Sequence, residues 1–434
     1  QLSSVSYRYL QKLSCVFTPL TMELIREILD ISKRTLYNLL SDAVNNEILY
    51  KIDGHYEFSF IEAKNRFFNE CPEFIRIEIS HQLIKYFQDK LNLDIKTIKG
   101  LLKSCLITQD YQALLLFKRQ LFNVYHQNYD QQNAFDEIYE IVELETSDKV
   151  VVDESVLRKD IIRLINKAEM TGNIEPAFKL ITSIKTDKEM FEIEYSKAIA
   201  HIRQENIELA EEYYFKAYEL AVSGKQQALT LLDLMWIYVS KKDKNHASKI
   251  LEQLSKYQLS NDLEICFYDR KGYFLSQFES ETESIRVLEE YLSKIQETND
   301  QMASNRLASL YSNLANLYSS QMMYSEAQKY HKMSLSISLK INNQNLLSTI
   351  YINIGDFYLR QGLTDSALEH FKKGEDLSKK LNNVRSLTLA NLNFGEAHIK
   401  LGDFIKAEEY LDKARNYSES TKNKNFYDSI LYNL

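Results

Sequence analysis

Glycine and proline are scarce in this chain, with ten Gly and three Pro (Pro19, Pro72 and Pro176) in 434 residues. Sandwiches and barrels need such residues at every turn, and a phosphate-cradling loop needs glycines in a cluster, so the depletion argues against both and favours helix nearly throughout. Long apolar runs are missing as well. Nothing approaches the roughly eighteen consecutive apolar residues of a membrane helix, and no secretory signal is visible. Cationic excess is absent too: the formal charge is -8 and no long Lys/Arg run occurs, which counts against a membrane partner and a strongly basic nucleic-acid surface. The four cysteines, Cys15, Cys71, Cys105 and Cys266, stand far apart with no C-x-x-C pair. A disulfide framework or zinc site therefore has no support, and a reducing, cytoplasmic setting is expected.

Catalytic signatures are lacking in the same way. Gly224-Lys225 is the nearest approach to a phosphate loop, but no glycine stands at the required upstream position and Gln226 follows instead of Ser or Thr. The eight histidines show no H-E-x-x-H spacing, and His331, His370 and His398 fall at ordinary helical positions. No G-x-S-x-G elbow occurs, and acidic pairs such as Glu211-Glu212 read as solvated helix faces. The expectation is a chain without catalytic residues, cofactor or metal. Trp236, the single tryptophan, and the many Tyr residues read as packing between helices.

What the chain has is 44% hydrophobic residues, enough for a large folded core, and an internal period of forty. Ala315 aligns with Gly355 and Gly395, Tyr318 with Tyr358 and His398, Met322 with Gly362 and Gly402, and Ala327 with Ala367 and Ala407. The turn pair Asn342-Asn343 returns as Asn382-Asn383, and Ser338 and Ser378 match Ser418. Leu310, Leu314 and Leu317 lie at i, i+4 and i+7, one apolar stripe, while the small residues let a second helix approach. Each unit is therefore a helix hairpin. Weaker copies can be phased on Ala177, on Ala210 with Tyr214 and Ala217, and on Ala247, with a degenerate one near Gly272 and Leu288.

This pattern resembles the tetratricopeptide repeat in its forty-residue form, found in kinesin light chains and bacterial peptide-pheromone receptors, and it does so most specifically over 305–434. The resemblance implies an all-α, right-handed superhelix of stacked hairpins from about residue 93 to the end, with the first helix of each hairpin on the concave side. The last residues, YDSILYNL, restart a first helix, with Asn433 one period after Asn393 and Leu434 at the phase of Ile354 and Phe394. With Gln1 rather than Met at the start, both ends are expected to be cuts in a longer polypeptide.

Asn is a mediocre helix former, so its return at one phase needs a reason. Asn313, Asn316 and Ser320 form a polar stripe, followed by Asn353, Asp356 and Arg360, then by Asn393, Glu396 and Lys400. In the arrays this segment resembles, an Asn at this phase grips the backbone of an extended peptide, and its amide supplies both a donor and an acceptor. The other reading is that these amides satisfy inter-helix groups or face water. Arg360 and Lys400 have Asp356 and Glu396 four residues earlier, where helix pairing contributes about 0.3 to 0.5 kcal/mol each.

The N-terminal segment SVSYRYLQKLSCVF, TMELIREILDI, SKRTLYNLLSDAVNNEILYKIDGHYEFSF reads as three helices and a two-stranded wing turning at Asp53-Gly54, with Ser32 capping the third helix. That order is a winged helix over residues 1–92. Residues 1–90 carry eleven Lys plus Arg against twelve Asp plus Glu, and the presumed recognition helix offers Lys33 and Arg34, which counts against DNA binding. The continuation FSFIEAKNRFFNECPEFIRIEISHQLIKYF resembles the winged-helix segment of STAND-class signalling ATPases, where a switch ATPase precedes and a helical-repeat sensor follows. Phe60 stands where members of that class often carry a nucleotide-sensing His.

Together these readings give an expected division into a winged helix at 1–92 and repeats at 93–434. The expected function is a non-catalytic sensor that binds a peptide or protein in the repeat groove and controls an upstream nucleotide-binding switch. The alternative is a transcription regulator whose winged helix binds DNA under control of a signalling peptide.

Overall fold

The computed structural model of the chain describes residues 3–184, 190–203, 206–295, 300–381 and 383–421. The expected repeat restart at 427–434 and Asn382 lie outside the described residues. Helices dominate, and the described residues fall into two compact units, 1–160 and 161–434.

The first unit opens with α1 (Ser4–Ser14), β1 (Leu20–Thr21), α2 (Met22–Leu29), α3 (Lys33–Asn45), β2 (Leu49–Ile52) and β3 (His55–Phe58). Ser32 caps α3 by accepting a hydrogen bond from the Thr35 amide at 3.2 Å. Leu36, Leu39, Leu40 and Ala43 then give α3 one buried stripe. Asp53 (φ 44°) and Gly54 (φ 84°) both take the left-handed conformation that a tight hairpin turn demands, which sets the register Leu49 to Phe58. The sheet has one strand more than the expected wing: β1 pairs with β3, giving the order β1-β3-β2.

Five helices follow in this unit: α4 (Ile61–Glu70), α5 (Glu73–Phe87), α6 (Ile95–Thr108), α7 (Tyr111–Gln127) and α8 (Gln131–Glu145). Helix α6 packs directly on the N-terminal segment, since a Cβ at Gly100 would lie 2.4 Å from the Phe17 carbonyl oxygen. Beside it, Lys103 stands 5.6 Å from the centre of the Phe17 ring. The unit also brings together Cys15 and Cys71, 56 positions apart in sequence, with sulfurs 3.6 Å from each other. Both remain free thiols.

Helix α9 (Glu154–Thr171) runs into the second unit, which continues with α10 (Ile174–Ser183), α11 (Phe191–Arg203), α12 (Ile207–Leu220), α13 (Gly224–Ser240), α14 (Lys244–Leu254), α15 (Asn261–Phe278) and α16 (Glu281–Leu292). The regular repeats are α17 (Gln301–Ser320) with α18 (Tyr324–Lys340), α19 (Gln344–Arg360) with α20 (Thr364–Lys380), and α21 (Val384–Lys400) with α22 (Phe404–Thr421).

The forty-residue alignment acquires a physical cause at each position. Gly355 is small because a Cβ there would meet the fully buried Phe371 ring at 2.4 Å. Met322, Gly362 and Gly402 all take positive φ, at 59°, 76° and 74°, ending the first helix of each hairpin in a left-handed turn. Asn343 and Asn383 cap the helices that follow them, accepting at 3.0 Å from the Leu346 and Ser386 amides. Their amide nitrogens reach back one repeat, to Asn305 Oδ1 at 2.6 Å and Asn345 Oδ1 at 2.8 Å. One residue type thus both starts a helix and ties it to the previous repeat.

Candidate functional site

The first helices of successive hairpins face a common interior in the second unit. Side chains from α9, α11, α13, α15, α17, α19 and α21, with Tyr214 of α12 and Asn383, line a cavity of about 450 Å³. The unit curls far enough for its early and late repeats to touch. A Cβ at Gly172 would lie 2.8 Å from the Leu381 Cβ, Lys167 donates to Gln301 Oε1 at 3.0 Å, and the Arg385 guanidinium lies over the Trp236 ring at 5.0 Å.

Helix α17 supplies most of one wall. Met302, Asn305, Arg306, Ser309, Ser312 and Asn313 recur at three- and four-residue steps, one face of a helix, and all six line the cavity. Helix α15 adds Cys266, Asp269 and Arg270, while α13 adds Asp233 and Trp236. Trp236 is therefore a wall residue as well as a packing one, a placement its sequence neighbourhood did not indicate.

Most charged groups on this wall are already engaged. Asp269 accepts from Asn313 Nδ2 at 2.7 Å and pairs with Arg270 at 3.0 Å. Asp233 accepts from the Tyr195 hydroxyl at 2.6 Å. Burial pushes the Asp233 carboxyl up, against the opposing influence of Arg270 and the Tyr195 hydrogen bond. Arg306 is different. Its side chain makes no hydrogen bond or ion pair with any described residue, and its Nε is buried without a partner.

The stripe residues singled out from the sequence separate into two groups, with Ser320 outside the cavity and donating to Glu281 at 2.7 Å. Asn313 and Asn353 line the cavity, and each spends an N–H on the preceding repeat, Asn313 on Asp269 and Asn353 on Ser312 Oγ at 3.0 Å. Asn316, Asp356, Arg360, Asn393, Glu396 and Lys400 are not among the lining residues. Asp356 pairs with Arg360 at 2.7 Å and Glu396 with Lys400 at 3.2 Å, the spacing that i,i+4 charges favour.

The helix face that carries Asn313 and Asn353 continues along the cavity wall. Stepping back four and seven residues from Asn313 gives Ser309 and Arg306, from Asn353 gives Thr349 and Leu346, and from Asn393 gives Leu389 and Ser386. All six line the cavity. The cavity-lining face thus runs about two turns toward the N-terminal halves of these helices.

Residues 306–380 and 389–419 match family models described as tetratricopeptide repeat. The chain carries tetratricopeptide repeats. Several solved structures are similar to it. One is a STAND protein with a tetratricopeptide repeat sensor from Pyrococcus horikoshii, 14% identical with a TM-score of 0.42, matched over 99% of this chain and 59% of its own length. This chain thus spans little more than half of that protein. Another is a Rap protein complexed with competence and sporulation factor, 17% identical with a TM-score of 0.46, matched over 74% of this chain and 95% of its own. A third is aspartyl phosphate phosphatase F from Bacillus subtilis, 15% identical with a TM-score of 0.39, over 72% and 91%. No curated protein matches the chain.

Among the described residues no group of His, Cys, Asp and Glu is arranged to hold a metal ion, and no helix is long and apolar enough to cross a membrane. Tetratricopeptide repeats are protein-interaction modules, and the cavity is where these repeats present unspent polar groups.

Proposed function

We propose that the tetratricopeptide repeats bind an extended peptide or protein segment in the cavity of the second unit, and that the chain is a non-catalytic sensor acting in the cytoplasm. The observation that carries this reading is the set of amide atoms left over on the cavity wall. After the contacts between repeats are made, Oδ1 of Asn313, Oδ1 of Asn353 and Nδ2 of Asn305 have no bonded partner among the described residues. Acceptors and a donor spaced along successive helices suit a peptide main chain, which offers both in alternation.

In this reading residues 1–92 are the winged-helix portion, 93–434 the sensor, and peptide capture controls a nucleotide-binding switch elsewhere in the same polypeptide. The order of parts read from the sequence supports that coupling. The balanced charge of the winged helix favours a protein contact over DNA.

Panning a random dodecapeptide display library against the full chain tests the proposal. Enriched peptides are expected to lose binding at least about tenfold to Ser309→Trp, which fills the cavity, and to Asn353→Ala, while Asn393→Ala, outside it, binds as the parent does. Peptides that bind Ser309→Trp and the parent equally, or a library that yields no binder, would overturn the reading.

A further inference from the structure

We infer that the cavity recognises a single carboxylate on its peptide ligand and that Arg306 is the group that receives it. This rests on the cavity being a peptide site, and it names the chemistry the peptide must carry.

The charged residues of the wall are Glu169, Asp233 and Asp269 against Arg270, Arg306 and Arg385, so the wall carries no net charge. The charges are not equally committed. Arg270 has Asp269 at 3.0 Å, and Arg385 has the Trp236 ring. Burial works to lower the Arg306 pKa, while Cys266, Tyr195, Asp233 and Asp262 act on it through space in the raising direction, and among the described residues Arg306 forms no ion pair. A half-buried guanidinium with five donors and no acceptor is costly to leave so, because its lost hydration is not replaced. A ligand carboxylate would restore it with two parallel hydrogen bonds.

The surroundings set the charge of that ligand. Asp233 and Asp269 line the same cavity as Arg306, and two acidic groups there disfavour a ligand group carrying more than one negative charge. One guanidinium without a hydrogen bond or ion pair, on a wall with no net charge, accommodates a carboxylate better than a phosphate. It also argues against a polyanion such as nucleic acid, which needs a row of free cations. Ser309, one turn along the same helix, and the spare Asn305 amide nitrogen stand beside Arg306 to hold the flanking main chain.

The experiment uses dodecapeptides recovered by panning on the full chain that also lose binding to Ser309→Trp. Each is resynthesised in three forms: unchanged, with its Asp and Glu replaced by Asn and Gln, and with its C-terminus amidated. Losing the relevant carboxylate is expected to weaken binding to the parent chain by about 10- to 100-fold, the range for a charge-assisted pair. The side-chain and amidated forms tell an acidic residue from the chain end. Against Arg306→Gln the carboxylate form should bind no better than its amide form, and Arg306→Lys should restore part of the difference. The peptide exchange reads the contact without altering the protein, so the result stands even if Arg306→Gln folds poorly. Cavity-binding peptides indifferent to all three forms, or whose carboxylate dependence survives in Arg306→Gln, would overturn the inference and leave the peptide site intact. Failure to recover any cavity-dependent peptide would overturn both.

Discussion

Replacing Gly172 by alanine loads two penalties onto one residue. Its φ of 82° is left-handed, where a Cβ costs about 1–2 kcal/mol. The added Cβ would also lie 2.8 Å from Cβ and 2.9 Å from Cδ2 of Leu381, with the Leu381 carbonyl oxygen at 3.2 Å. Because a neighbouring backbone is involved, a rotamer change cannot clear the clash, and overpacking adds about 1–3 kcal/mol. The control is Gly362→Ala. That glycine has nearly the same φ, 76°, but nothing within 4 Å of the new Cβ. One period earlier Met322 occupies the same turn at 59° with a full side chain, so the cost there is the conformational part alone. Urea unfolding of the full chain followed by circular dichroism should therefore show Gly172→Ala less stable than Gly362→Ala by about 1–3 kcal/mol. Limited proteolysis of the Gly172→Ala chain should cut the turn near 381 sooner, since that turn loses its seat. Equal midpoints for the two variants would refute the claim that the early and late repeats of the second unit press against each other.

Two further expectations follow from buried ionisable groups. His331 is buried against Phe357 with neither ring nitrogen hydrogen-bonded, and burial pushes its pKa down to about 4. The unfolded chain, with its imidazole near pH 6.5, therefore binds the proton first as pH falls, and stability is lost between about pH 6.5 and 4, by about 2 kcal/mol from pH 7 to pH 5. A His331→Leu chain should show a shallower slope of stability over that range, and an unchanged slope would count against this assignment. Cys15 and Cys71 are buried, and burial pushes the Cys15 thiol up to about 12 and raises that of Cys71 as well. In native buffer at pH 8 neither should react with a disulfide reagent on the timescale of unfolded controls, whereas both should react at once in denaturant. Rapid native labelling of either would show that the junction of α1 and α4 opens.

The forty-residue period was enough to establish the hairpins and their small-residue contacts, because steric demand recurs wherever the same two helices meet. Local chemistry was equally legible. The Ser32 cap, the Asp53-Gly54 turn and the pairing of Arg360 with Asp356 all depend on residues within four positions of each other. The helix face of the site was visible too, as the stripe through Asn313 and Asn353. Which half of that stripe faces an enclosed space was not, because the cavity depends on how far successive hairpins rotate, a sum of small angles that no single repeat encodes. Arg306 looks like an ordinary helical arginine until Asp269 is seen to be taken by Arg270 and Asn313, and Trp236 looks like packing until Arg385 arrives from 149 positions away. The extra strand β1 and the meeting of Cys15 with Cys71 belong to the same class. Periodicity and short-range hydrogen bonding are properties of the sequence by itself. The partners left over for a ligand are decided only after every long-range contact has claimed its own.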